Sequence, residues 1–87
     1  MNKVWSDQAW NDYLYWQQND KKTLKKVNDL IKDIDRNGYD GIGKHEPLGH
    51  NYTGFWSRRI NDKDRLVYRI NGNNIEIAQC KTHYNDS

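Results

Sequence analysis

The feature that most restricts this chain is an apolar stripe in its first half: Leu24, Val27, Leu30, Ile31 and Ile34 recur at steps of three and four. That spacing is one face of a helix. Lys21, Lys22, Lys25, Lys26 and Lys32 fall outside the stripe, so the helix has one face to bury and one to leave in water. Asp20 is a good N-cap for it, and Asn37-Gly38 ends it. Upstream, Ser6 caps a first helix with Asp7 in its first turn, and Ala9, Trp10, Tyr13, Leu14 and Trp16 form its stripe. Only Asn19-Asp20 separates the two stripes, which predicts a helical hairpin.

A hairpin of amphipathic helices needs an apolar surface to cover. The second half of the chain supplies one, because Phe55–Ile60, Arg65–Ile70 and Ile75–Cys80 read as strands. Asn71-Gly72-Asn73-Asn74 is a strong turn between the last two, and Asn2–Trp5 is a further short strand. The order βααβββ predicts a small α+β domain spanning residues 1–87, with residues 85–87 as a tail. Its sheet is mostly antiparallel, and the two-helix hairpin lies on one face. Only 34% of the residues are hydrophobic, but four Trp and six Tyr bury much area per residue and make a core feasible.

Strand pairing can be taken further. With Ile70 opposite Ile75, Tyr68 faces Ile77 and Leu66 faces Gln79 under the helices. The other side carries Arg65 opposite Cys80, Val67 opposite Ala78, and Arg69 opposite Glu76 as an ion pair, and is expected to be exposed. A three-residue turn Asn61–Lys63 places Arg59 opposite Arg65, whereas a four-residue turn does not.

Several classes of protein are disfavoured. No apolar run approaches a membrane span, and the N-terminus lacks the regions of a secretory signal. A lone Cys80 builds no disulfide framework and fits a reducing cytoplasm as a buried small hydrophobe. Formal net charge is +2, but its distribution is uneven. Residues 1–40 balance seven Lys and Arg against seven Asp and Glu, whereas residues 44–81 carry seven against four. Arg dominates that excess, and its planar fork matches phosphate.

Residues 38–54 hold five of the six glycines and the only proline. A loop this long in so small a domain is commonly functional. It contains Lys44, His45, Glu46 and His50, without a zinc-ligand spacing. RNA strand scission needs a base, cations for the phosphorane and an acid. The chain offers Glu46, the arginines Arg58, Arg59 and Arg65, and His83 beside Tyr84. Arg69 is left out because Glu76 accounts for it. Each has a plainer reading: a solvated loop carboxylate, edge-guarding strand charges, a surface histidine, a packing tyrosine. Physics alone leads no further than the expectation of a phosphate-binding site.

A resemblance adds to this. Trp5-Ser6, Tyr13-Leu14-Tyr15-Trp16-Gln17, Lys25-Lys26-Val27-Asn28 and Leu30-Ile31-Lys32-Asp33 are similar to the N-terminal half of YoeB/Txe toxins. Gly41-Ile42-Gly43-Lys44-His45-Glu46-Pro47-Leu48, Gly54-Phe55-Trp56-Ser57-Arg58-Arg59-Ile60, Arg65-Leu66-Val67-Tyr68 and His83-Tyr84 complete the resemblance across nearly the whole chain. It implies a RelE-like fold and a toxin neutralised by a YefM-type antitoxin. It further implies a metal-independent endoribonuclease, needing no cofactor, that cleaves mRNA in the ribosomal A site. Glu46 is then the general base, His83 the general acid and Arg65 the stabiliser of the phosphorane. Arg59 and Arg58 hold phosphate, Tyr84 supports the substrate, and Lys44 is available to ribosomal RNA. A homodimer is implied, and operator DNA is reached only through the antitoxin. Gly49 stands where the family commonly has lysine, His45 where it has proline, and Asn85-Asp86-Ser87 extend past its usual aromatic end. The alternative is a non-catalytic RNA- or ribosome-binding protein, or a degenerate toxin serving as antitoxin partner and co-repressor.

Overall fold

The computed structural model describes residues 1–41, 45–49 and 52–82, with residues 45 and 46 described by their backbone alone. Its elements are β1 (Asn2–Trp5), α1 (Asp7–Asn19), α2 (Lys21–Asn37), β2 (His45–Pro47), β3 (Trp56–Arg59), β4 (Arg65–Asn71) and β5 (Asn74–Gln79). Both helix starts lie where the caps predict. Ser6 Oγ accepts the Ala9 N–H at 3.0 Å. Asp20 closes α1 with its own N–H on Trp16 O and opens α2 by accepting the Thr23 N–H at 3.1 Å. One residue thus ends one helix and begins the next, which folds the pair into a hairpin. The Tyr13 hydroxyl ties the helices together through Asn28 Oδ1 at 2.9 Å. Gly38, at φ 64°, ends α2 with its N–H on Ile34 O, a conformation that costs a residue with a Cβ.

The strands form one five-stranded sheet in the order β1-β5-β4-β3-β2; β1 runs parallel to β5 and every other pair is antiparallel. The α2 stripe of Val27, Leu30, Ile31 and Ile34 joins Ala9 and Trp16 of α1 in one core cluster with Leu66, Tyr68, Ile75 and Ile77 of the sheet. Burying this many large side chains at roughly 1.5–3 kcal/mol each supplies the main driving force for folding.

Three strand-level expectations change. The stretch read as loop contains β2, a three-residue edge strand in which Glu46 pairs with Ser57. Too short to show alternation, it ends at Pro47, a residue that an edge tolerates. Second, the β4–β5 register holds from Ile70–Ile75 to Tyr68–Ile77 and then slips, so that Val67 faces Gln79 and Ala78 is extra. The bulge reverses the parity beyond it. Cys80 therefore lies against α1, with its N–H on Asp12 Oδ2 at 3.0 Å and its carbonyl accepting Trp16 Nε1–H at 2.8 Å. The bulged Ala78 carbonyl is taken by the Ser6 hydroxyl at 2.6 Å.

Third, the sheet face away from the helices is not simply exposed. Val67 and Ser57 are fully buried, while Arg65 and Arg69 are half-buried. The Arg69–Glu76 pair is present, with Nε donating to Oε1.

Candidate functional site

The β3–β4 turn settles the alternative left open by the sequence. Ile60 N–H bonds to Asp64 O at 2.9 Å, and Arg59 lies directly opposite Arg65. Alternation along a strand puts these two arginines on the same face as Ser57 and Val67. Arg65 Nη1 donates to Ser57 Oγ at 3.1 Å, across the strand pair. Ser57 is in turn the register partner of Glu46. Three neighbouring strands therefore bring one carboxylate-bearing position, a buried hydroxyl and two guanidinium-bearing positions into two adjacent rungs. The rungs are about 6.6–6.8 Å apart along the strand.

The two arginines differ in freedom. Arg59 is exposed, while Arg65 is half-buried and held by its serine. A guanidinium already fixed by the protein loses less entropy on gripping an anion than one that must be ordered first. Ser57 was missed in the sequence because serine carries no charge signal. Its position two residues before Arg59, on the same pleat, is the cue that could have identified it.

Arg58 does not belong to this group, and its assignment as a phosphate-binding residue is corrected. It pairs in register with Leu66, so it points toward the helices, and it is 0% exposed. Its donors are taken up inside the fold. Nη1 bonds to Asp33 Oδ2, Nη2 to Gly38 O at 2.6 Å and Asp40 O at 2.8 Å, and Nε to the Tyr68 hydroxyl at 3.2 Å. It thus serves carbonyls at the C-terminal end of α2, where a cation also suits the helix dipole.

Cys80 is likewise structural. Burial, with Asp12 and Asp64 nearby, pushes its thiol up to about 12, so it remains a thiol at neutral pH and is a poor nucleophile.

His83, Tyr84 and Lys44 lie outside the described residues, as does the Glu46 side chain. The chain is nevertheless described as far as Thr82. The Thr82 N–H donates to Asp64 Oδ1 at 3.0 Å, which attaches the end of the described chain to the turn just before Arg65.

A two-helix hairpin over a five-stranded sheet, with two arginines opposite each other on the far face, defines a small α+β protein. Comparison with known proteins specifies the class further. Residues 5–84 match the family model described as the YoeB-like toxin of bacterial type II toxin–antitoxin systems. Toxin YoeB of Escherichia coli K12 is 52% identical over 84 residues, covering 97% of this chain and all of the relative. A structure of the YoeB–YefM complex from Staphylococcus aureus superposes with a TM-score of 0.90 at 56% identity, covering 97% of this chain and 98% of that one. The YoeB dimer from the same organism gives 0.89 at 58% identity over the same shares. The chain belongs to the YoeB-like toxin family of type II toxin–antitoxin systems.

Proposed function

We propose that this toxin is an endoribonuclease that cleaves mRNA in the ribosomal A site and needs no metal. The observation that carries the reading is the Arg59–Arg65 rung beside the Glu46–Ser57 rung, which brings two guanidinium-bearing positions and one carboxylate-bearing position into neighbouring rungs of the sheet. Glu46 removes the proton from a ribose 2′-hydroxyl. The 2′-oxygen then attacks the adjacent phosphorus, and the bond to the 5′-oxygen breaks. His83 delivers a proton to that leaving oxygen. The products are a 2′,3′-cyclic phosphate, which hydrolysis opens to a 3′-phosphate, and a free 5′-hydroxyl.

Arg65 stabilises the charge that accumulates on the phosphorane, a contribution of about 10²–10³-fold when one preorganised donor is removed. Arg59 holds the phosphate, Tyr84 supports the neighbouring base by stacking, and Lys44 contacts ribosomal RNA. Base, acid and cation are all side chains, so the chemistry is complete without an added ion.

The resemblance and the staphylococcal complex support a YefM-type antitoxin as the partner. The staphylococcal dimer supports a homodimer. Operator DNA is reached through the antitoxin.

Primer extension on a defined mRNA in a translating bacterial extract tests the reading. A new 5′ end that tracks the A-site codon and disappears when initiation is blocked is the expected result. Intact mRNA at saturating toxin, with active ribosomes present, would overturn the nuclease assignment in favour of a binding-only protein. Glu46→Gln should leave ribosome binding intact and remove the cut.

A further inference from the structure

We infer that the groove between the first half of α2 and the β3–β4 turn docks the phosphate backbone of ribosomal RNA, with Lys22 and Lys26 as its cations. This rests on the reading of the protein as a toxin that acts on the ribosome, and it names a surface for that partner. The groove has a volume of about 460 Å³. Lys22, Lys25, Lys26 and Asp29 form one wall, and Ile60 and Asn61 of the turn form the other. Lys22 and Lys25 are exposed, and Lys26 is half-buried.

The charge balance favours an anion. Lys25 Nζ bonds to Asp29 Oδ2 at 2.9 Å, and among the described residues no ion pair engages Lys22 or Lys26. Asp20, the acid just before α2, is occupied as its cap, accepting the Thr23 N–H and hydroxyl. In the turn, Asp62 and Lys63 offset each other, and Asp64 is buried. Helix stability alone does not favour these lysines. The first turn of α2 has no acidic residue, and the N-terminal end of a helix disfavours cations. Lys22 and Lys26 are also like charges four residues apart, which weakens a helix.

Placement selects the partner. Ile60 belongs to the core beneath the helices, whereas Arg59, the residue before it, is exposed on the far face. The groove therefore opens on the side opposite the Arg59–Arg65 rung assigned to mRNA, and RNA met there belongs to the surrounding ribosome. Among the described residues no arginine lines the groove, so the carboxylates of a protein partner find no planar fork to pair with. An ammonium is a point charge on a flexible stem, suited to a phosphate backbone read without base sequence.

The test follows binding of the full-length toxin to bacterial 70S ribosomes lacking mRNA across a salt series. Replacing Lys22 and Lys26 together by glutamine should reduce the slope of log affinity against log salt by about two. At about 0.1 M salt that change raises Kd by about 10–10²-fold. Lys22→Arg with Lys26→Arg should stay close to the parent. Lys32→Gln, on the same helix but outside the groove, should change neither slope nor Kd appreciably. The double glutamine variant should melt at or slightly above the parental Tm, and at saturating concentration it should cut programmed ribosomes at the parental rate.

An unchanged salt slope in the double glutamine variant overturns the docking surface. An equal loss in Lys32→Gln also overturns it, by making the effect one of net charge. If the double variant keeps its ribosome affinity but loses a YefM-type antitoxin, the groove belongs to the antitoxin and the inference fails. A parent that binds ribosomes with the expected slope difference yet cuts nothing removes the nuclease reading and leaves the surface standing. A parent that does not bind ribosomes overturns the surface, whatever it does to free mRNA.

Discussion

Arg58 points into the helix-covered side of the sheet and is fully buried, whereas Arg59, the next residue, is exposed on the side the helices leave uncovered. One peptide bond separates them, and the pleat assigns them opposite tasks. A buried guanidinium is tolerable only when its donors are satisfied. Arg58 meets that demand with Asp33, two carbonyls near the end of α2 and the Tyr68 hydroxyl. Arg59 faces Arg65 across the strands. Two like charges opposite each other weaken a sheet, so this rung is not one that sheet stability alone favours. On the covered side of the sheet arginine supports the fold, and on the far side Arg59 is presented to solvent.

That contrast can be broken most severely at Arg58. Replacing it by alanine takes the guanidinium away from Asp33 Oδ2, two carbonyls and the Tyr68 hydroxyl, a loss of about 3–5 kcal/mol. For an 87-residue chain, 3 kcal/mol corresponds to a Tm drop of roughly 12–24 °C. Differential scanning calorimetry checks this, and a change under 4 °C would remove Arg58 from its structural role.

Arg65→Ala should do the reverse. Cleavage in the extract falls by about 10²–10³-fold, while the melting curve stays near that of the parent. A folded variant that still cuts at the parental rate would reassign the phosphorane cation. Arg59→Ala is the milder version, because its exposed fork makes a better-hydrated contact. A loss of about tenfold is expected, concentrated in apparent affinity and growing with salt, which screens exposed charges. A salt-independent effect on kcat instead would mean that Arg59 acts at the reacting phosphate.

The smallest effect lies at Arg69–Glu76, the arginine of the far face that is matched with a carboxylate. The hydrogen bond from Arg69, and then that from Asn71, holds the Glu76 carboxyl below its usual value of 4.5. With the folded value lowered, this contribution to stability is present above pH 4.5 and is lost as pH falls through the folded value. Glu76→Gln should therefore flatten the acid side of a urea-midpoint profile slightly without altering cleavage. An unchanged acid slope would show the pair to be energetically silent, as exposed pairs often are.

Much of this organisation was legible in the chain. The helical hairpin followed from Ser6, Asp20 and Gly38 together with the three-and-four spacing, because caps and periodicity are local. The Ile70–Ile75 register and the Arg69–Glu76 pair followed from a two-residue turn, which constrains its flanking strands directly. The reading failed where a distant element intervened. Uniform alternation carried Cys80 to the wrong face, since the bulge at Ala78 is supported by the Ser6 hydroxyl, and Cys80 is held by Asp12 and Trp16. All three partners lie more than sixty residues away. Arg58 looked like Arg59 because a charge in a strand does not announce which pleat it occupies or whether a carboxylate waits beneath it. β2 was hidden because its pairing depends on β3, not on any pattern of its own.

The sequence by itself determined the two helices, the β4–β5 hairpin and the α+β class. Each depends on interactions between residues a few positions apart. The tertiary structure alone decided which arginine is structural and which is presented, where the register slips, and that the turn before Arg65 is tied to Thr82. Those outcomes depend on burial and on hydrogen bonds between distant segments, whose energies arise only once the chain has closed around its core.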